Sequence, residues 1–202
     1  MSFYRKVEIS LIIAIITSVL FSIISFAHTA EQIRGEVLRL HVIANSDSCV
    51  DQNLKLAVRD AILEEGSDIF DGSVTVENAV NKISPQIDKL TSVVKKVVKE
   101  YGFNYTVNVR IDEEYFNTRT YETVTLPAGK YLSLVITIGS GEGKNWWCVM
   151  FPPMCLSAAD ESDVISNVLN KEEIKLVNSK PKYEPRFKII EIFEEIKNEL
   201  IK

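Results

Sequence analysis

Residues 9–27 carry no charge at all: ISLIIAIITSVLFSIISFA. Arg5 and Lys6 stand just before this run and Glu31 just after it. At about 1.5 Å per residue the run spans roughly 28 Å as a helix, close to a bilayer core of about 30 Å. A basic start, an apolar core and a small-x-small position at Ser25, Phe26 and Ala27 read as a secretory signal peptide. The same positive flank, holding the N-terminus in the cytoplasm, reads as an anchor that exports the rest of the chain. A buried helix of a soluble protein is the poorer reading, because helices apolar all round are rare in small domains. Both export readings place the chain from Gln32 onward outside the cytoplasm.

Beyond this run the period of the apolar positions changes three times. Residues 37–44 are rich in branched side chains and predict a strand, with Leu38, Leu40 and Val42 on one face and Arg39 and His41 on the other. Asn45, Ser46, Asp47 and Ser48 stop it and offer helix-capping oxygens. A helix is expected over residues 49–65, with Leu54, Val58, Ala61 and Ile62 inward and Gly66 at its end. Val76, Val80, Ile83, Ile87, Leu90, Val94, Val97 and Tyr101 then step by fours and threes, a helical period interrupted at Ser84 and Pro85. From Phe103 the period becomes two: Phe103, Tyr105, Val107, Val109 and Ile111 alternate with polar residues. A weaker strand pattern follows at residues 118–126, then a third strand at 130–138, with Leu132, Leu134, Ile136 and Ile138 inward, and a fourth at 146–151, separated by turns at 127–129 and 139–143. Residues 160–182 are polar and predict a variable surface segment with at most a short helix. Pro185 opens a last helix over 185–202, with Ile189, Phe193, Ile196 and Leu200 as its inward stripe. The expected fold is therefore α+β: a mostly antiparallel sheet packed by helices, after an N-terminal signal or anchor helix. The expected division is 1–27 for the signal peptide or anchor and 28–202 for one exported domain.

Composition narrows the function. The chain has 202 residues, 46% hydrophobic, with a formal net charge of -5. Residues 1–27 hold two basic groups and one acidic group, so the exported part is more acidic still. An acidic domain is a poor partner for nucleic acid, whose phosphates need an excess of Lys and Arg. Two histidines and three cysteines give no zinc-ligand spacing, and no metal, cofactor or small-molecule substrate is expected.

The glycine-rich stretch 139–145, GSGEGKN, invites a phosphate-loop reading and fails it, because Asn145 follows Gly143-Lys144 and Ile138 stands where the first glycine belongs. Cys148 and Cys155 bracket two prolines; outside the cytoplasm they are expected to form a disulfide, two buried thiols being the alternative, with Cys49 left odd. A catalytic set of His41, Asp47 and either Cys148 or Ser46 can be written down, but no nucleophile motif surrounds it. His41 is better read as bonded into the fold, and Asn45, Ser46 and Asp47 as turn and cap. Trp146 and Trp147 must face opposite sides of a strand, so one enters the core and the other is covered or left as a contact anchor. Polar loops on a rigid scaffold are where recognition resides. Asn45, Ser46, Asp47 and Asp51, with Lys144, Asn145, Trp146 and Trp147, therefore form the candidate partner-binding surface.

Two long blocks carry a resemblance: RLHVIANSDSCVDQNLKLAVRDAIL over 39–63 and LPAGKYLSLVITIGSGEGKNWWCVMFPPMC over 126–155. Both resemble the stage II sporulation protein R family of endospore-forming bacteria, and RFKIIEIFEEIKNEL near the end fits that family's closing helix. The resemblance implies a signalling protein rather than an enzyme. It would be made in the forespore and exported into the space between forespore and mother-cell membranes. There it would trigger a membrane-embedded aspartic protease of the mother cell, which removes the pro-sequence from the precursor of the early mother-cell sigma factor, sigma-E. An exported cell-wall hydrolase and a structural envelope module are the competing classes.

Overall fold

The computed structural model describes residues 3–70, 75–121, 124–154, 168–177 and 185–200. Its elements run α1 (Phe3–Gly35), β1 (Leu38–Ile43), α2 (Cys49–Phe70), α3 (Val76–Ile83), a 3-10 turn (Ser84–Gln86) and α4 (Ile87–Glu100). Then come β2 (Val107–Phe116), the short strands β3 (Arg119–Thr120) and β4 (Thr125–Leu126), β5 (Gly129–Ile138) and β6 (Asn145–Phe151). Helices α5 (Lys171–Val177) and α6 (Pro185–Leu200) close the described chain. This is an α+β fold with an N-terminal apolar helix, and α1 is long and apolar enough to cross a membrane.

The sheet has the order β2-β5-β1-β6. β2 pairs antiparallel with β5, and β1 antiparallel with β6, but β1 and β5 run parallel. A run of hairpins would have paired β5 with β6; instead β1, from far earlier in the chain, lies between them. Its burial explains the position. Leu38, Arg39, Leu40, His41 and Val42 are all buried, and a strand covered on both faces belongs in the middle of a sheet. The weak pattern at 118–126 is the two-stranded hairpin β3-β4.

One face of the sheet packs under α2, α3 and α4. Leu40, Val42, Leu134, Ile136 and Met150 meet Leu54, Val58, Ile62, Leu90 and Val94 there. Helix α2 does not stop at Gly66, which is buried within it, and Ile69 joins the same core. Burying that extra turn outweighs a glycine's cost of about 1 kcal/mol in a helix interior. Thr75 caps α3 by accepting a hydrogen bond from the Asn78 amide, and Pro85 sits in the first positions of the 3-10 turn, where its missing N–H costs nothing. At the end of α4, Val98 is buried while Tyr101 is exposed.

The other face is covered by the end of α1, the β3-β4 hairpin and α5, with Ile33, Phe116, Leu126, Tyr131, Val149 and Val177 between them. Helix α5 begins in a reciprocal cap: Asn170 Oδ1 accepts from the Glu172 and Glu173 amides, and Glu173 Oε2 accepts from the Asn170 amide. Helix α6 is turned relative to its sequence pattern. Phe187, Ile190 and Glu194 face the body, while Ile189, Phe193, Ile196 and Leu200 are exposed. The inner surface explains this rotation: Phe26 of α1 receives Phe187, and Arg34 pairs with Glu194 at 3.3 Å.

Candidate functional site

β1 and β5 are parallel, so the chain leaves both at the same end of the sheet. β1 runs out through Ala44 to Ser48, where α2 begins. β5 runs out through Gly139 to Lys144 before β6. In open sheets the carboxyl ends of neighbouring parallel strands are the usual place for a binding site. Here the two exits are stitched into one unit.

Asn45 is the centre of that unit. Its Oδ1 accepts the Ser140 amide at 2.9 Å, and its carbonyl accepts the Ser140 hydroxyl at 2.8 Å and the Glu142 amide at 3.2 Å. The Gly143 amide donates to Ala44 O, and the Lys144 amide to Asp47 Oδ1 at 2.7 Å. The glycines permit this approach. A Cβ on Gly139 would overlap Asn45 Oδ1 and one on Gly143 the Ser46 carbonyl, and both Gly139 and Gly141 have positive φ.

Beneath the loops lies a buried polar layer. Asp51 accepts from Asn45 Nδ2 at 2.9 Å and from the Ser46 hydroxyl at 2.5 Å. Burial opposes its charge, but the hydrogen bonds from Ser46, Asn45, Tyr105 and Ser48 prevail and hold the carboxyl below the usual aspartate range. Lys55, also buried, donates to Gln52 Oε1 at 2.6 Å and to Lys144 O at 3.0 Å, and burial pulls its ammonium pKa down. Gln52 Nε2 donates to Ser46 O. Hydrogen bonds among Asn45, Ser46, Asp51, Gln52 and Lys55 and to the loop backbone hold the unit in one arrangement.

The sequence-predicted surface residues thus fall into three groups. Asn45, Ser46, Asp47 and Asp51 are brought together and held by the loop network. Lys144 and Asn145 are exposed at its rim. Trp146 and Trp147 do face opposite sides, and each is half-buried under an arginine: Arg59 lies 4.4 Å over Trp146, and Arg119 lies 4.3 Å over Trp147. The cover over Trp147 comes from the β3-β4 hairpin. Lys55 and Ser140 are members of the unit that sequence reasoning misses. Lys55 has a readable sign, since Asp51, Lys55, Val58 and Ile62 step by four, three and four along one face of α2.

The catalytic set of His41, Asp47 and Cys148 or Ser46 does not assemble. Ser46 is bonded to Asp51, and His41 points from the other face of β1, with Nδ1 2.5 Å from Glu114 Oε2. Cys148 lies in the helix-side core and is disulfide-bonded. Cys155, its expected partner, lies outside the described residues, and Cys49 is a free, exposed thiol. No group of three or more metal-ligating side chains occurs among the described residues.

On the far face, Arg39 is fully buried in an aromatic layer. Its guanidinium lies 4.1 Å from the Phe116 ring centre and 5.0 Å from that of Tyr131, and it donates to the Tyr121 hydroxyl. No hydrogen-bond acceptor meets its Nε and Nη1 among the described residues. Burial lowers its pKa, and burial pushes the Tyr131 phenol up.

Compared with known proteins, residues 34–161 match the family model described as stage II sporulation protein R. The chain belongs to that family. Over 143 residues it is 34% identical to stage II sporulation protein R of Bacillus subtilis, covering 71% of this chain and 64% of that protein. The chain thus matches a little under two thirds of that relative's length. No solved structure matches. The stage II sporulation protein R match contains the whole sheet, both interlocked loops and the arginine-aromatic layer, while α5 and α6 lie beyond it. A role in sporulation follows from membership, and the family is named for that process rather than for a reaction.

Proposed function

We propose that this protein is an intercellular sporulation signal. It is exported from the forespore into the space between the two membranes, where it activates a membrane-embedded aspartic protease of the mother cell. That protease then processes the sigma-E precursor. The observation that carries the reading is family membership over the segment that builds the interlocked loops. Support also comes from the apolar helix ahead of an acidic domain, and from loop polar groups committed to holding a fixed shape rather than arranged as nucleophile and base. A rigid rim can act on a receptor only by binding its active state better than its inactive one. The rim of Asp47, Lys144 and Asn145 is the docking surface in this reading, favouring a receptor assembly that brings the catalytic aspartates together.

Reconstitution tests it. The full chain is combined in vesicles with the purified receptor protease and the sigma-factor precursor, and cleavage is scored. Cleavage dependent on this chain supports the proposal. No cleavage, together with release of fragments from purified cell wall, would replace it with the hydrolase reading.

A further inference from the structure

We infer that the N-terminal helix is a permanent stalk of the exported domain and is not removed as a leader. The inference rests on the proposed export but not on the identity of the receptor. Its first observation is continuity. Helix α1 is unbroken from Phe3 to Gly35 and passes from the charge-free run straight into the fold. The small-x-small position at Ser25, Phe26 and Ala27 lies inside it, and Thr29 Oγ1 donates to Ser25 O one turn away. Proteolysis concentrates at exposed, irregular chain, and a helix interior must unwind before it can be cut. The uncharged run also exceeds the apolar core of about 7–15 residues that leaders carry.

The second observation is the packing of the helix at the end of the run and just beyond it. Phe26 is 6% exposed, and its ring meets Phe187 edge-on at 5.0 Å, with Ile190 completing the cluster. Ala30 and Ile33 are wholly buried. Arg34 is clamped from three sides: it donates to Ala128 O at 2.8 Å, and it pairs with Glu31 and with Glu194. The clamp is shaped to fit. Gly129 has a φ of +142°, and a Cβ there would come within 2.6 Å of Arg34 Cδ.

Cutting after Ala27 would leave the Arg34 clamp in place but strip Phe26 from this joint. Phe187 and Ile190 would lose their cover on α1. A new α-ammonium at His28 would stand at the start of the remaining helix, where the backbone dipole disfavours a cation. The cluster around Phe187 and Ile190 is therefore completed by Phe26, on the membrane side of the expected cut. Because the joint has no flexible linker, the stalk also orients the domain. β5 starts beside Arg34 and, with β1, carries the interlocked loops at its opposite end, about 30 Å further on along its ten residues at roughly 3.3 Å per residue. A tethered signal of this kind reaches only receptors within the span of the domain.

The test uses the full chain expressed with export. Membranes are extracted at alkaline pH, and the retained protein is denatured and mapped with trypsin. The expected result is retention in the membrane and recovery of the joint peptide covering residues 7–34, with no peptide that begins at His28. A new N-terminus between residues 26 and 30, or loss of the domain into the soluble fraction, would overturn the inference. Neither readout involves the receptor, so failure here and failure of protease activation are separate results.

Discussion

β1 shows two ways of being buried on one six-residue strand. Leu38, Leu40 and Val42 enter an aliphatic core under the helices, where packing alone sets the energy. Arg39 and His41 enter the opposite face, where a guanidinium sits among aromatic rings and an imidazole meets Glu114. The first side is what any alternating strand needs. The second is costly to form, since a desolvated cation must recover its hydration from ring faces and tyrosine hydroxyls. The two sides therefore respond differently to substitution, and so does the loop network at the strand's end.

The largest effect is expected on the aliphatic side. Leu40→Ala should cost about 2–5 kcal/mol in denaturant unfolding, through lost burial and the cavity left behind. A cost below about 1 kcal/mol would mean that this face is not the main core. Asp51→Ala comes next: it strands Asn45 Nδ2 and the Ser46 hydroxyl, and should cost about 1–3 kcal/mol. The same residue gives a pH signature. Its carboxyl is held low in the folded state, so its contribution is complete at neutral pH and is lost as pH falls below the ordinary aspartate value of about 3.9. Thermal unfolding followed from neutral to acid should show that loss in the parent and a flatter acid limb in Asp51→Asn.

Arg39→Met sharpens the comparison further. Replacing a buried charge by an apolar side chain of similar length is often neutral or stabilising, so stability should hold or rise. A fall of several kcal/mol would show that the aromatic layer supplies the guanidinium with more than it costs. The smallest effect is expected from Lys144→Ala on the exposed rim, within about 0.5 kcal/mol. Its receptor assay should nevertheless show reduced precursor cleavage; unchanged cleavage would remove Lys144 from the docking surface.

Much of the helix-side core was legible because it obeys simple periods. Leu54, Val58 and Ile62 step as a helix must, and Leu132, Leu134, Ile136 and Ile138 alternate as a strand must. The parallel pairing of β1 with β5 was not legible, because alternation says which face is buried but not which neighbour a strand takes. Pattern misled at α6, where the apolar stripe of Ile189, Phe193 and Ile196 points outward. There two specific contacts, from Phe26 and Arg34, set the rotation, and both partners lie in a segment that reads as a membrane run and its flank. At the candidate site the residue types were legible and their bonding was not. Asn45 and Ser140 meet only because two distant strands end side by side.

The central place of β1 also governs the order in which the domain can form. On the proposed export β1 would be the first strand to leave the membrane, yet Leu40 must wait for Leu134 on one edge and Cys148 on the other. Pairings this distant in sequence make folding slow, while the intervening helices can form locally and early. Until β5 and β6 have crossed, β1 has two open edges, each a template for pairing with another chain. Export from the N-terminal end, as proposed, would thus deliver the keystone first and its supports last. A chain stalled before Phe151 would present an unclosed sheet, prone to aggregate rather than to signal.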